Sequence, residues 1–243
     1  VGWEALAQWG DDVARIAPLA GGVANDVWTV RVNGHLAVAR RGVRSDADLA
    51  WETALLERLD REGLTVPVPI PTTAGRRFAN GVVVMTYVAG RPPATAADWR
   101  RVADTLRQLH QLTSGWPQRP GWRSSTDLLH AERGTKIDLG AMPPEGVARC
   151  RAAWARLVGC PTCVVHGDPN PRNIRLTAER VALLDWDEAH VDVPDLDLVL
   201  PHNAAGLDDA AHDIAAQAWA AWEAAVCWDD AHAVKRLADV RAV

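Results

Sequence analysis

Lysine is nearly missing from this chain: Lys136 and Lys235 stand against 24 arginines in 243 residues. Any site that ordinarily relies on a lysine ammonium must therefore be served by arginine, whose planar fork binds differently. Long apolar runs are missing too. No stretch approaches 18 apolar residues, so no membrane span is expected. Residues 1–10 have no basic segment leading into an apolar run, so no signal peptide is expected. Cysteine is sparse: Cys150, Cys160, Cys163 and Cys227 read as reduced thiols of a cytoplasmic protein. Cys160-Pro-Thr-Cys163 has CxxC spacing, but a zinc site needs a second ligand pair, and a redox motif should open a helix, whereas Cys163 leads into Val164-Val165.

Basic charge is not gathered as a nucleic-acid partner would require. Residues 1–90 carry 9 basic and 10 acidic side chains, and residues 91–184 carry 14 and 8. Residues 185–243 carry 3 basic and 13 acidic side chains, a local balance of −10 that would attract a cationic ligand. What is present suits a globular protein: 48% hydrophobic and 23% charged residues, at a length that buries a core without a metal or disulfide staple.

The first third alternates strand and helix patterns. Trp3–Ile16 looks helical. Val27–Val32 and His35–Arg40 are β-rich and joined by Asn33-Gly34, a strong two-residue hairpin signal. Asp46–Glu62 reads as a helix capped by Ser45, with Leu49, Leu56 and Leu59 on one face. Val82–Val88 is a strand-length apolar run, and Gly90-Arg91-Pro92-Pro93 punctuates the chain after it. The remainder is mainly helical, at Asp98–Thr113, Glu145–Val158, Asp208–Val226 and Asp230–Val240. Short strand candidates lie at Val164–His166, Ile174–Leu176 and Val181–Leu184, and residues 114–144 show no clear pattern.

The chemistry concentrates in Val164-Val165-His166-Gly167-Asp168-Pro169-Asn170-Pro171-Arg172-Asn173 and, twelve residues after Asn173, in Asp185 of Leu183-Leu184-Asp185-Trp186-Asp187. Phosphoryl transfer needs a carboxylate to orient or deprotonate the attacking hydroxyl, and oxygen ligands to hold Mg²⁺ against the phosphates. Asp168 suits the first role; Asn173 and Asp185 suit the second.

His-Gly-Asp-x-x-x-x-Asn followed by a strand and Asp resembles the signature of aminoglycoside phosphotransferase-like kinases, a family that includes choline, homoserine and fructosamine kinases. The resemblance runs over roughly Leu19 to Leu200. It implies an α+β, bilobal protein-kinase-like fold: a small antiparallel-sheet N-lobe for the nucleotide over residues 1–89, and a larger, mainly helical catalytic and acceptor-binding C-lobe over residues 90–243. The co-substrate would be ATP or GTP with Mg²⁺, and the partner a small-molecule hydroxyl acceptor, with neither nucleic acid nor membrane involved. Leu19–Trp28 resembles the family's nucleotide-covering hairpin, with Gly21, Gly22 and Asn25 near the phosphates. Arg40, or Arg41 if the register slips by one, occupies the place of the phosphate-binding lysine or arginine, with Glu52 as its helix partner. Thr86 to Val88 resembles the hinge against the base, with Met85 as core filling. His166 is expected to support the catalytic loop, and Asp195 to brace it.

The acceptor would lie near residues 114–144 and 201–230, where Trp116, Trp122, Trp219, Trp222 and Trp228 occur. Most of these tryptophans are expected in the core. Asp208, Asp209, Asp213, Glu223, Asp229 and Asp230 are candidate acids for a cationic acceptor. A nucleotide-binding pseudokinase is the competing reading. A protein kinase is disfavoured by Gly167, where that group has arginine, and by the short chain after Asp185.

Overall fold

The computed structural model describes residues 2–19, 26–134, 136–228 and 230–241. Trp3–Trp9 forms a 3₁₀ turn that ends at Gly10, whose φ of 115° only glycine adopts readily. The expected helix therefore stops early, and its second half is instead strand β1 (Ala14–Pro18). β1 pairs antiparallel with β2 (Asp26–Val32) through a bulge between Arg15 and Ala17, so sheet pairing overrides the local helical pattern. β2 turns at Asn33-Gly34, both with positive φ, into β3 (His35–Arg41), with Val32 opposite His35.

Helix α1 (Asp46–Arg61) follows, its first turn capped by the Ser45 hydroxyl, which accepts from the Asp48 amide. β4 (Val82–Thr86) completes a four-stranded antiparallel sheet in the order β1-β2-β3-β4. Alternation along β4 divides its side chains: Val82 and Val84 pack with Leu6, Trp9, Ala37 and Ala39 on one face. Val83 and Met85 pack with α1 on the other.

Helix α2 (Ala96–Leu112) starts at a capping box of Thr95 and Asp98 and buries Val102, Leu106 and Leu109. These join Leu49, Leu56 and Leu59 of α1 in one cluster, so the helical region is packed against the sheet region rather than loosely tethered to it. Residues 114–143 run through short 3₁₀ turns to α3 (Pro144–Ala155). β5 (Cys163–Val165), β6 (Ile174–Leu176), β7 (Val181–Leu183) and β8 (His190–Asp192) form two small antiparallel pairs, β5 with β8 and β6 with β7. A short α4 (His202–Ala205) precedes α5 (Asp209–Val226) and α6 (Ala231–Asp239). A second core joins α3 and α5 around Trp154 and Trp222.

β8 has no counterpart among the sequence expectations; His190-Val191-Asp192 holds one apolar residue and becomes a strand by pairing with β5. Cys163 is buried in β5 and burial pushes its thiol pKa up, keeping it protonated and unreactive, while Cys160 is exposed. No helix among the described residues is long and apolar enough to cross a membrane.

Candidate active site

Strand alternation decides between the two arginines at the end of β3. Ala37 and Ala39 face the N-terminal turn, so Arg40 faces α1, while Arg41 points back to Asp26 and the Trp3 ring. Arg40 is buried, bonded through Nη2 to Glu52 Oε1 and through Nη1 to Asp187 Oδ1 at 2.5 Å. Its Nη1 also lies 3.9 Å from Asp185 Oδ1.

Glu52 sits on the same stripe of α1 as Leu49 and Leu56, which is why a carboxylate enters the interior there. Arg44 adds a second guanidinium, 2.6 Å from Glu52 Oε2 and paired with both oxygens of Asp48. Burial alone would raise the Glu52 pKa. The charges of Arg40, Arg44 and Arg119 outweigh it and hold the carboxyl at about 2.

The segment after β5 is shaped by Gly167. At φ 84°, a Cβ there would stand 2.4 Å from the Glu188 carbonyl oxygen, so no larger residue fits. Asp197 anchors the turn: its Oδ2 accepts from the His166 amide at 2.7 Å and its Oδ1 from the Gly167 amide at 2.9 Å. His110 Nε2 lies 2.9 Å from the same carboxylate. Burial would raise the Asp197 pKa, but the hydrogen bond and charge of His110, with His166 and the Gly167 amide, bring it below the usual carboxylate range. The brace expected at Asp195 is thus supplied by Asp197, which is buried where Asp195 is only half-buried. His166 is buried and ties two segments together. Its Nε2 bonds the Leu184 carbonyl at 2.8 Å, an acceptor, so the proton sits on Nε2 and Nδ1 faces the Asp168 amide at 3.4 Å.

The Asp168 carboxylate is held from two sides. Asn170 Nδ2 donates to both of its oxygens at 2.8 Å, and Asn173 Nδ2 donates to Oδ2 and to the Asp168 carbonyl at 3.0 Å. That arrangement leaves Asn173 Oδ1, a hard oxygen donor, directed elsewhere. The Leu184 amide donates to the Asn173 carbonyl at 2.7 Å, which joins this turn to the Asp185 segment. Asp185 has φ 58°, in the left-handed region, and nearly half of its side chain (48%) is open to solvent. The protein wall around its carboxyl raises its pKa, as do the charges of Asp187 and Asp168, with Arg40 pulling the other way.

No group of three or more His, Cys, Asp or Glu side chains placed to share a metal occurs among the described residues. The donors fit a hard divalent ion all the same: one carboxylate and one amide oxygen, beside a carboxylate surplus that raises the Asp185 pKa, suit an ion that takes its other ligands from phosphate and water.

Thr86 ends β4 with its amide donating to the Val68 carbonyl and its hydroxyl accepting from the Val68 amide, both at 2.9 Å. Tyr87 beyond it is exposed and Val88 half-buried. Gly21, Gly22 and Asn25 lie outside the described residues.

On the acceptor side, Trp122 and Trp222 are buried and sandwich His190 at centroid distances of 5.2 and 4.3 Å. The acids there are largely committed to structure. Asp208 and Asp230 cap α5 and α6, and Asp213 pairs with Arg156 and Arg241. Glu223 accepts from Arg236 Nε at 2.5 Å. Asp229 lies outside the described residues. Glu223 nonetheless stands within the electrostatic reach of Asp168: burial raises its pKa, Arg236 opposes, and the Asp168 charge adds to the rise.

Residues 15–232 match the Phosphotransferase enzyme family. The chain belongs to that family. The curated relatives include a homoserine kinase of Beijerinckia indica subsp. indica, 28% identical over 175 residues, which cover 65% of this chain and 54% of that protein. The chain spans about half the length of the curated relatives it matches. Among solved structures, the fold resembles aminoglycoside phosphotransferase APH(4)-Ia in a ternary complex with ADP and hygromycin B. There the TM-score is 0.62 and identity 14%, over 96% of this chain and 94% of that one. It also resembles amicoumacin kinase hAmiN in complex with AMP-PNP, Ca²⁺ and Ami, with TM-score 0.59 and 15% identity over 96% and 74% of the two chains. The phosphotransferase fold is therefore present, with its antiparallel-sheet and helical lobes.

Sequence reasoning missed Arg44, Asp48, Asn170, Asp197 and Arg119. For the first two a signal existed: Arg44, Asp48 and Glu52 fall at intervals of four, along the stripe carrying Leu49 and Leu56.

Proposed function

We propose that this phosphotransferase moves the γ-phosphate of ATP or GTP onto a hydroxyl of a small, cationic molecule, an aminoglycoside-like antibiotic or a metabolite. The observation that carries the reading is the Asp168 carboxylate, fixed by Asn170 and Asn173 beside Asp185 and the Arg40–Glu52 pair. In this reading Asp168 accepts the proton of the acceptor hydroxyl as its oxygen bonds to phosphorus and the bond to the β-phosphate oxygen breaks, the electron pair leaving with the nucleoside diphosphate. Arg40, oriented by Glu52, faces the phosphate oxygens. The family resemblance alone assigns Gly21, Gly22 and Asn25, outside the described residues, to the phosphates. Because the Thr86 amide is engaged by Val68, the base is met by backbone at Tyr87–Val88. Asn173 Oδ1 and the Asp185 carboxylate would hold Mg²⁺, which when bound neutralises phosphate charge. The acidic balance of residues 185–243 supports a cationic acceptor group. The similar structures hold hygromycin B with ADP and Ami with AMP-PNP, a small molecule beside a nucleotide in each.

A second reading, nucleotide binding without transfer, draws on Arg40, whose two terminal nitrogens are already engaged by Glu52 and Asp187. Incubation with Mg²⁺ and ATP against an acceptor panel, read by mass spectrometry for a gain of one phosphate, separates the two. Asp168→Asn should reduce transfer by about 10²–10⁴-fold with nucleotide binding retained. Undiminished turnover in that variant refutes the catalytic assignment, and nucleotide binding without transfer to any acceptor favours the second reading.

A further inference from the structure

A guanidinium outside the nucleotide-facing set does more than fill the interior. Arg119 lies on the irregular stretch between α2 and α3, with only 1% of its side chain exposed. One of its nitrogens, Nη1, shares its two hydrogens among three carbonyl acceptors of a single turn: Trp186 at 3.0 Å, Asp187 at 3.1 Å and Ala189 at 2.7 Å. The rest of the fork reaches the other lobe, with Nε 2.5 Å from Asp48 Oδ1 and Nη2 3.4 Å from Glu52 Oε2 on α1. Its flat faces are occupied as well, by the Trp122 ring at 4.8 Å and the Trp51 ring at 5.4 Å.

The neighbours of Arg119 make the same bridge. Trp51 Nε1, from α1, donates to the Pro117 carbonyl at 2.8 Å. The Gln118 side chain pairs with both backbone groups of Val191, donating to its carbonyl at 2.8 Å and accepting from its amide at 2.9 Å. Residues 117–119 thus form a latch with one edge on α1 and the other on the chain from Trp186 to Val191. Immediately before that chain stands Asp185, with its left-handed backbone. A turn with such a conformation holds only if its surroundings over-determine it. The Trp186 carbonyl also accepts from the Ala189 amide at 3.2 Å, whereas for the Asp187 and Ala189 carbonyls the guanidinium is the donor at hand, one that hydrophobic packing would not supply.

We infer that Arg119 is a positioning residue: it sets the Asp185–Asp187 turn against α1, so that Asp185 and Asp187 stand beside Arg40, itself held by Glu52, in the geometry that binds a nucleotide-bound divalent cation. The inference rests on the phosphotransferase reading of the site. It extends that reading by making metal affinity depend on a residue that contacts neither metal nor nucleotide. Groups that orient ligands from behind commonly change metal affinity or activity by about 10–100-fold when removed.

The test uses the full chain, Mn²⁺ as the probe ion and AMP-PNP as nucleotide. Free Mn²⁺ is read by electron paramagnetic resonance at a temperature well below each variant's melting point. Arg119→Met, similar in length but without donors, should weaken Mn²⁺ binding about ten-fold or more. Arg119→Lys, which can serve the carbonyls but not Asp48 at once, should fall between it and the native chain. ATP turnover with Mg²⁺ should fall in the same order. If Arg119→Met does not fold, Asp48→Asn, which cuts the tie from the α1 side, should weaken Mn²⁺ binding at least three-fold. Folded variants with lower melting temperatures but Mn²⁺ affinity within two-fold of native would show a purely structural arginine and overturn the inference. A native chain that takes up no Mn²⁺ with AMP-PNP would overturn the phosphotransferase reading and this inference with it; a native chain that binds, with indifferent variants, overturns this inference alone.

Discussion

Glu52→Gln tests the buried charge arrangement between β3 and α1, beneath the proposed nucleotide site, because this one carboxylate faces three guanidiniums. Arg40, Arg44 and Arg119 all reach it, and it is 1% exposed. The amide keeps the shape and removes the charge, leaving three buried cations with Asp48, Asp187 and the more distant Asp185 to balance them. Breaking a buried ion pair from one side typically costs about 3–5 kcal/mol. For a chain of this size each kcal/mol lowers the melting temperature by roughly 2–4 °C, so a fall of about 6–20 °C is expected.

The native chain carries the same effect in its pH dependence. The Glu52 carboxyl titrates at about 2 when folded against an ordinary 4.5. Between those values the unfolded chain binds the proton more readily, so the contribution is complete above pH 4.5 and is lost as pH falls toward 2. Circular-dichroism melts of both proteins from pH 3 to pH 8 should show the native advantage narrowing below pH 4.5. A Glu52→Gln chain that melts within 2 °C of native at pH 7 refutes the claim that this carboxylate holds the cluster together.

Gly167→Ala should be severely destabilising, because the Cβ would meet the Glu188 carbonyl at 2.4 Å in a backbone of positive φ; soluble yield and melting temperature report it. Asp197→Asn replaces two strong acceptor oxygens with one, so hydrogen exchange at the His166 and Gly167 amides should accelerate while exchange at Leu106 and Leu109 is little changed. Ser45→Ala removes the cap of α1 and should cost about 1 kcal/mol in denaturant unfolding.

How much was readable from sequence depended on how local the cause was. The turn at Asn33-Gly34 and the start of α1 at Ser45 follow from chemistry within four residues, and both appear where the pattern places them. The proximity of Arg40 and Glu52 was also readable, because β3 and α1 are consecutive and alternation fixes which arginine turns inward. β1 was lost because its residues are exposed throughout and exist as a strand only by pairing with β2. Arg119 had no signal: its partners lie 67 to 71 residues away, and its own stretch has no period. Asp195 and Asp197 share one short 3₁₀ segment, and only packing around His110 decides which of them is turned inward. The acidic tail end is a coarse signal for a similar reason, since a balance of −10 does not tell how many of those carboxylates are already helix caps or arginine partners.

The arginine at position 40 has a practical consequence for chemical profiling. Reagents that tag nucleotide pockets by acylating an amine depend on an ammonium that can lose its proton, and a guanidinium does not oblige. Under the proposed function such probes would leave residue 40 untagged, and among the side chains of this sequence only Lys136 and Lys235 offer them an ammonium.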